Sequence, residues 1–280
     1  MAERLDVQKT YKLFIGGAFP RSESGRTFAV LASDGSLIAN VASASRKDLR
    51  DAVVAARSAQ SGWAARTAYN RGQILYRVAE VMEGRRSQFA EELSRCGVEA
   101  RAAKKEVEQA IDRWVWYAGW CDKFHHIAGS VNSVAGPYFN FTMPEPTGVV
   151  GIVAPDSPAL LGLVSRLAPA LVSGNTAVVL TGEASPLTAV SMAEVVATSD
   201  VPGGVVNILT GATKDMLPWL LGHRDVNAVD LTGAPDLEAA TVAEAAENVK
   251  RLIRGEPNDQ SPYVIADFCE MKTVWHPVGR

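Results

Sequence analysis

Short runs rich in Val, Ile and Leu alternate with longer helical segments from Gly148 onward, and this alternation constrains the fold most. The runs at 149–153, 176–180, 205–209 and 226–231 have the composition of strands that are covered on both faces. The segments that follow them, 158–172, 186–198, 214–221 and 234–248, have helical character. The alternation predicts an α/β fold, in which a Rossmann-like parallel sheet has helices on both faces.

The residues before Gly148 predict small strands and helices that pack on this sheet. Short strands are expected at 11–19, 28–31 and 37–41, and Ser45 is placed to cap a following helix. Apolar residues recur at helical spacing, which predicts helices at 45–60, 70–84, 88–96 and 102–124. Glu106 and Glu108 are interpreted as a solvated face of the last helix. Residues 138–143 alternate large apolar with polar side chains, as a half-exposed strand does.

The end of the chain predicts a linker followed by one strand. Residues 254–266 have linker composition, and residues 267–275 alternate as a strand does. A single strand is not stable alone, so it must pair with another strand, in this chain or in a neighbour.

Composition excludes some partners. The chain of 280 residues has a net charge of −3 and no basic stretch interleaved with aromatic residues, so neither nucleic acid nor a membrane is predicted as a partner. Its three cysteines have long spacings and no CxxC, which argues against a disulfide framework or a zinc site. Cytoplasmic localisation is expected on this basis.

Several separated motifs carry a family resemblance. In chain order they are LFIGGAF, SGRTF, YAGWCDKFHH, EPTGVVGIVAP, LAPALVSGNTAVV, SPLTAV, PGGVVNILTG, DLTG and, at the end, EMKTVWHP. Their order and spacing resemble the aldehyde dehydrogenase family over about residues 11–250, and the last motif resembles that family's C-terminal oligomerisation strand. The family's separate catalytic domain, which would follow Arg251, is absent.

The resemblance implies four regions. Residues 1–136 would pack on the cofactor-type domain, and residues 148–253 would be the Rossmann-like domain. Residues 137–147 and 267–280 would form the oligomerisation arm and tail strand, with 254–266 as the linker. The interface residues implied are Tyr138, Phe139, Phe141, Lys272, Val274 and Trp275.

The resemblance also implies that the catalytic groups are lost. The family needs a thiolate nucleophile, a base and donors to the oxyanion. The nucleophile belongs to the absent domain, Gly255 stands where the base is expected, and Ser157 stands where the oxyanion asparagine is expected. Cys96 and Cys121 are interpreted as small core residues, and Cys269 as interface packing, with a reactive role as its alternative. No catalytic residue and no metal site is predicted.

Cofactor binding is expected to be vestigial. The family's adenosine-ribose lysine corresponds to Leu180, whereas its glutamate is kept as Glu183. The vestigial cofactor-binding residues implied are Pro155, Glu183, Gly211, Thr232 and Gly233. A carboxylate at Glu238 would repel a diphosphate by about 1–4 kcal/mol at close range. No bound cofactor is predicted, and NAD(P) binding is the alternative.

Three functions follow from these expectations. The first is a catalytically incomplete subunit that forms a hetero-oligomer with a complete aldehyde dehydrogenase, or a homo-oligomer, in a structural or regulatory role. The second is an NAD(P)-linked aldehyde oxidoreductase whose active site is completed by another chain. The third is a nucleotide-binding sensor. NAD(P)H production would support the second function, and the absence of any nucleotide binding would exclude the third.

Overall fold

A computed structural model describes residues 8–32, 34–182, 184–237 and 239–279, without the side chains of 239–241. The elements in chain order are β1 (Thr27–Leu31), β2 (Leu37–Ala42), α1 (Arg46–Ala64), α2 (Ala68–Gly84), α3 (Arg86–Arg95), α4 (Ala100–Ala118), α5 (Phe124–Ala128), β3 (Ser130–Asn132), β4 (Tyr138–Pro146), β5 (Val149–Val153), α6 (Ala159–Val172), β6 (Thr176–Thr181), α7 (Pro186–Ala197), β7 (Val206–Thr210), α8 (Thr213–Gly222), β8 (Ala228–Asp230), α9 (Ala239–Ala246), β9 (Arg251–Ile253), α10 (Val264–Asp267) and β10 (Cys269–Pro277).

A five-stranded parallel sheet in the order β7-β6-β5-β8-β9 forms the centre of the fold. Val150 is level with Ala177 on one side and with Ala228 on the other. Every residue of β5, β6, β7 and β8 is buried, because helices cover both faces of the sheet. The predicted α/β class is therefore confirmed.

The helices form layers of different depth on the two faces. On one face, α1, α8 and α9 pack on the sheet through a cluster that includes Leu49, Val53 and Leu220. On the other face, α6 and α7 lie on the sheet, and α2, α3 and α4 cover them. This double cover explains why α6 is apolar all round: its residues from Leu160 to Val172 are all buried.

A separate three-stranded antiparallel sheet in the order β10-β4-β3, here called the arm, is built from the middle and the end of the chain. Cys269 is level with Pro146, and Pro277 with Tyr138, so β10 pairs with β4 over its whole length. The tail strand thus pairs within its own chain. It runs from Cys269 to Pro277, slightly later than the predicted 267–275.

Some predicted elements differ in detail. Residues 11–19 form isolated bridges, through Tyr11, Phe14 and Ile15, and not a continuous strand. Helix α4 ends at Ala118, and turns separate it from α5, so the predicted helix at 102–124 is two helices. The sequence also missed β3 and β9, whose three-residue lengths are too short to show a periodicity.

No helix in the described part of the chain is long and apolar enough to cross a membrane. The same residues contain no group of three or more His, Cys, Asp or Glu side chains that could hold a metal ion.

Candidate functional site

The strand order reverses between β5 and β8, since β6 and β7 lie on one side of β5 and β8 and β9 on the other. In open parallel sheets, ligands bind beyond the carboxyl ends of the strands at such a reversal. Residues 154–157 follow β5 at this edge, and residues 231–233 follow β8. This region, here called the crevice, is the candidate site.

Six of the predicted catalytic and cofactor-binding positions follow strands at this edge. They are Pro155 and Ser157 after β5, Gly211 after β7, Thr232 and Gly233 after β8, and Gly255 after β9. Glu183 lies outside the described residues.

The structure brings only some of these residues together. Gly255 N–H donates to Thr232 Oγ1 at 3.2 Å, and Gly233 N–H donates to the Val153 carbonyl at 3.1 Å. Gly211 instead packs beside the start of α1, where an added Cβ would lie 3.3 Å from Ser43 Oγ. Ser157 is exposed.

The backbone N–H groups of the Thr-Gly segment are already bonded within the chain. Thr232 N–H donates to Asp230 Oδ1 at 2.9 Å, and Ala234 N–H donates to the Leu231 carbonyl at 2.8 Å. Gly233 N–H donates to the Val153 carbonyl, and α9 begins at Ala239. An anion binds at a helix N-terminus because free N–H groups point at it, and here these three are occupied.

A buried ion pair lies beneath the crevice. Arg166 of α6 donates from Nε to Asp230 Oδ2 at 2.6 Å, and neither side chain is more than 1% exposed. Arg166 Nη2 is buried without a hydrogen-bond acceptor among the described residues, and Asp267 Oδ2 is 3.8 Å from it. Burial raises the pKa of Asp267, although Arg166 opposes this shift.

Arg166 occupies the space next to Gly255, which stands where the family's catalytic base is expected. An added Cβ on Gly255 would lie 2.7 Å from Arg166 Nη1, a closer approach than real Cβ atoms show. A carboxylate side chain at this position could not point into the crevice without displacing a buried, ion-paired guanidinium.

The segment 254–268 closes the region beyond β9 and is here called the closing segment. Arg113 of α4 holds its middle by donating to the carbonyls of Asp259 at 2.7 Å and Asn258 at 3.1 Å. Its end is buried through Val264, Ile265 and Phe268. The expectation of a simple linker at 254–266 is therefore corrected: this segment contains α10 and packs into the core, because arginine donors satisfy its carbonyls.

The residues at the positions where the family binds the adenosine ribose are an apolar side chain and a carboxylate. Leu180, at the lysine position, is 2% exposed and belongs to the core. Asp156 lies beside the end of β6, where an added Cβ on Gly182 would be 2.5 Å from Asp156 Oδ1. Burial raises the pKa of Asp156. The described residues at this place thus offer a carboxylate but no lysine.

The cysteines are placed as inert thiols. Burial raises the pKa of Cys121 to about 12 and that of Cys269 to about 11. It also raises the pKa of the half-buried Cys96. The thiolate is the nucleophilic form, so none of the three is activated at neutral pH.

Glu106 is one functional position that the sequence analysis misjudged. Its Oε1 accepts from the N–H groups of Leu160 and Leu161, at 2.8 and 3.2 Å, and so caps α6. The prediction of a solvated face was therefore wrong for Glu106. The cap occupies N–H groups at the start of the helix that borders the crevice.

The sequence analysis also missed the Arg166–Asp230 pair and Arg113. A signal existed for Arg166, the one charged residue in the apolar helix α6, because a charge is buried only when it is paired. Asp230 directly precedes the Leu-Thr-Gly segment and could have been proposed as its partner. No sequence pattern links Arg113 to carbonyls that lie about 145 positions later in the chain.

Comparison with known proteins places this geometry in a family. Residues 19–277 match the family model described as "Aldehyde dehydrogenase family". Cytosolic 10-formyltetrahydrofolate dehydrogenase of Mus musculus is 35% identical over 276 residues, which are 96% of this chain and 30% of the mouse protein.

Solved structures give the same result. An aldehyde dehydrogenase from Bacillus cereus, solved as an NAD+ complex, has a TM-score of 0.82 and 28% identity, covering 87% of this chain and 50% of that one. An NAD-dependent aldehyde dehydrogenase from Sinorhizobium meliloti has a TM-score of 0.80 and 25% identity, covering 88% and 50%. The chain therefore spans half the length of these structures and less than a third of the mouse relative.

Proposed function

Because the chain belongs to the aldehyde dehydrogenase family, we propose that it is a non-catalytic subunit that assembles with a complete aldehyde dehydrogenase and supports it structurally or regulates it. The observation that carries this proposal is the closing segment. It connects β9 directly to the arm and fills the space beside the base position with the chain's own residues. The segment after β9 is thus held by the chain's own Arg113, and the arm sheet forms within the same chain.

The chemistry of the described residues supports a non-catalytic role. The nucleophile of a covalent mechanism must be activated by a lowered pKa or an adjacent base. The three thiols have raised pKa values instead. Gly255 has no side chain to act as a base, and Ser157 is exposed on a loop.

The arm supports assembly. Val131, Phe139 and Phe141 lie on one face of it, and the first two are 71% and 47% exposed. Trp275 on the opposite face is 58% exposed. Large apolar side chains grouped on a thin sheet indicate a surface that another protein covers.

The closing segment also weighs against the alternative in which another chain completes the active site. A completing domain would have to approach the crevice beyond β9, where Gly255 N–H is bonded to Thr232 and Arg113 holds residues 258–259. That approach would break these hydrogen bonds and expose Phe268.

The nucleotide alternative has one supporting observation. Thr232 and Gly233 are at the carboxyl end of a strand at the reversal, and a relative of the same fold was solved with NAD+. The hydrogen bonds of Thr232, Gly233 and Ala234 within the chain oppose it. Cytoplasmic localisation, as for the mouse relative that is named cytosolic, belongs to the proposal.

The deciding experiment is co-purification from the source cell with a tag at Met1, followed by native mass determination. We expect a complete aldehyde dehydrogenase in fixed ratio. Activity of that enzyme with and without this chain then separates a structural from a regulatory role. NAD(P)H production by the purified chain alone, or its recovery free of any aldehyde dehydrogenase, would refute the proposal.

A further inference from the structure

A surface cavity of about 820 Å³ lies between the first turns of α1 and the last turn of α8. This volume is within the range of about 300–1,000 Å³ that is typical of small-molecule sites. None of the residues that form the crevice lines this cavity. The cavity is therefore a second place on the molecule where a ligand could be held.

Trp219 is the aromatic side chain of this cavity, and it is 45% exposed. Helix α8 packs into the core through Leu217, Leu220 and Leu221, so the core does not require Trp219. The Arg46 guanidinium lies over the indole ring, with 3.8 Å between Cζ and the ring centroid. This cation–π contact holds the arginine beside the aromatic surface. A ligand that contacts the ring therefore also meets the guanidinium.

The cavity is basic, although the chain has a net charge of −3. Four arginine and lysine side chains line it, against two glutamates. Lys47 is paired with Glu23 at 3.4 Å, whereas Arg46 and Arg224 have no ion pair among the described residues. Burial lowers the pKa of His223, so this imidazole is neutral at pH 7 and adds no charge. The uncompensated positive charge favours an anion.

The two arginines of α1 indicate which anion. Arg46 and Arg50 are one helical turn apart, so they lie on the same face of α1. Arg50 is bound to its neighbour Asp51 at 2.8 Å, in an exposed pair of the kind that contributes little stability and is easily exchanged. Guanidinium groups bind carboxylates through two parallel hydrogen bonds. The two glutamates of the cavity favour a single negative charge over a phosphate dianion, which they would repel more strongly.

We propose that this cavity binds a planar aromatic carboxylate, whose ring packs against Trp219 and Pro218 and whose carboxylate is held by Arg46 and Arg50. Aromatic rings that stack offset or edge to face gain more than the area they bury. Hydrogen bonds between ionised partners are about twice as strong as those between neutral ones. The inference does not depend on the proposed assembly role, because it concerns a surface that neither the crevice nor the arm uses.

Calorimetric titration of the full chain with cinnamate tests the site, and the neutral isostere cinnamamide is the matched ligand. Cinnamate should bind with a Kd below about 1 mM. The amide should bind at least about tenfold more weakly, because it cannot accept hydrogen bonds as an anion.

Three variants assign the roles of the side chains. Arg46→Gln should remove most of the preference for the acid over the amide, whereas Trp219→Leu should weaken both ligands about equally. Arg101→Gln, on α4, is the control and should change neither affinity. All three side chains are exposed, so the variants should keep the fold, which their melting temperatures check.

Fluorine NMR of the chain labelled with fluorotryptophan locates the ligand. The chain has six tryptophans, and the resonance that Trp219→Phe removes is that of Trp219. Cinnamate should shift this resonance over the concentration range in which heat is released. A shift confined to the other tryptophans would place the ligand elsewhere and overturn the proposal.

The remaining outcomes are equally decisive. An absence of binding at about 10 mM cinnamate, equal affinity for the acid and the amide, or an unchanged affinity in Arg46→Gln would each overturn the proposal. Cinnamate binding by a chain that is recovered free of any aldehyde dehydrogenase would leave the cavity site standing while the proposed function fails. Co-purification without cinnamate binding would do the reverse.

Discussion

At the scale of single residues, the Arg166–Asp230 ion pair is the main buried charge beneath the crevice. Asp230 accepts from Arg166, from Thr232 N–H and from Thr232 Oγ1, so one buried carboxylate joins the middle of α6 to the end of β8. A buried charge is costly when unpaired, and the partner of a removed charge keeps that cost. The crevice is thus held by charges that face inward.

Asp230→Asn should destabilise the chain by about 3–5 kcal/mol, because Arg166 would remain buried without its carboxylate. Asp267→Asn is the matched control. Its carboxylate is 46% exposed and 3.8 Å from Arg166, so the loss should be under about 1 kcal/mol. Urea unfolding of both variants measures the difference. Equal losses would contradict the assignment of Asp230 as the partner that compensates Arg166.

The buried thiol of Cys121 should make the fold less stable at alkaline pH. Burial raises the pKa of Cys121 in the folded chain to about 12. Above the ordinary thiol pKa, the unfolded chain ionises this thiol and the folded chain does not, so the free energy of unfolding falls as the pH rises toward the folded value. By about pH 10 the loss should be about 1 kcal/mol. Cys121→Ala should reduce the difference between neutral and alkaline unfolding midpoints. A variant with an unchanged difference would show that other groups cause the loss.

At the scale of elements, the closing segment depends on α4. Arg113 donates to Ser165 Oγ at 2.5 Å and to two carbonyls of the segment, so α4, α6 and the segment meet at one guanidinium. Tyr117 Oη adds a longer bond, 3.4 Å, to the Ser261 carbonyl. The position of the closing segment is therefore set by a helix from the first half of the chain.

In Arg113→Leu, the rate of proteolytic cleavage within residues 256–263 should rise at least tenfold. Each hydrogen bond from a charged donor contributes about 1.5–3 kcal/mol, and the variant loses those that hold this segment. Arg101→Leu, on the exposed start of the same helix, is the control and should leave the rate unchanged. Limited digestion with a non-specific protease, read by mass spectrometry, locates the cut. Cleavage elsewhere first would contradict the role of Arg113.

At the scale of the whole molecule, the chain combines a buried parallel sheet with an exposed arm. The strands of the parallel sheet are buried, whereas the arm has exposed aromatic residues and, among the described residues, strand edges without a pairing strand. This arrangement is compatible with the assembly role proposed above.

NAD+ at millimolar concentration should leave the melting temperature of the chain unchanged. A ligand at about 100 times its Kd would stabilise the fold by about 2.7 kcal/mol, which a thermal scan resolves easily. A complete aldehyde dehydrogenase in the same buffer is the positive control. A melting temperature that rises with NAD+ concentration would restore the nucleotide-binding alternative.

The sequence by itself determined the parallel sheet, the helices around it and the family. These depend on local periodicity and on motifs, and runs such as 149–153 are readable from neighbouring residues alone. Only the tertiary structure decided how Gly255 meets Arg166, how Arg113 holds residues 258–259, and which strand pairs with β10. The physical reason is distance along the chain: these contacts join residues about 90 to 150 positions apart, and no local pattern encodes such a pairing.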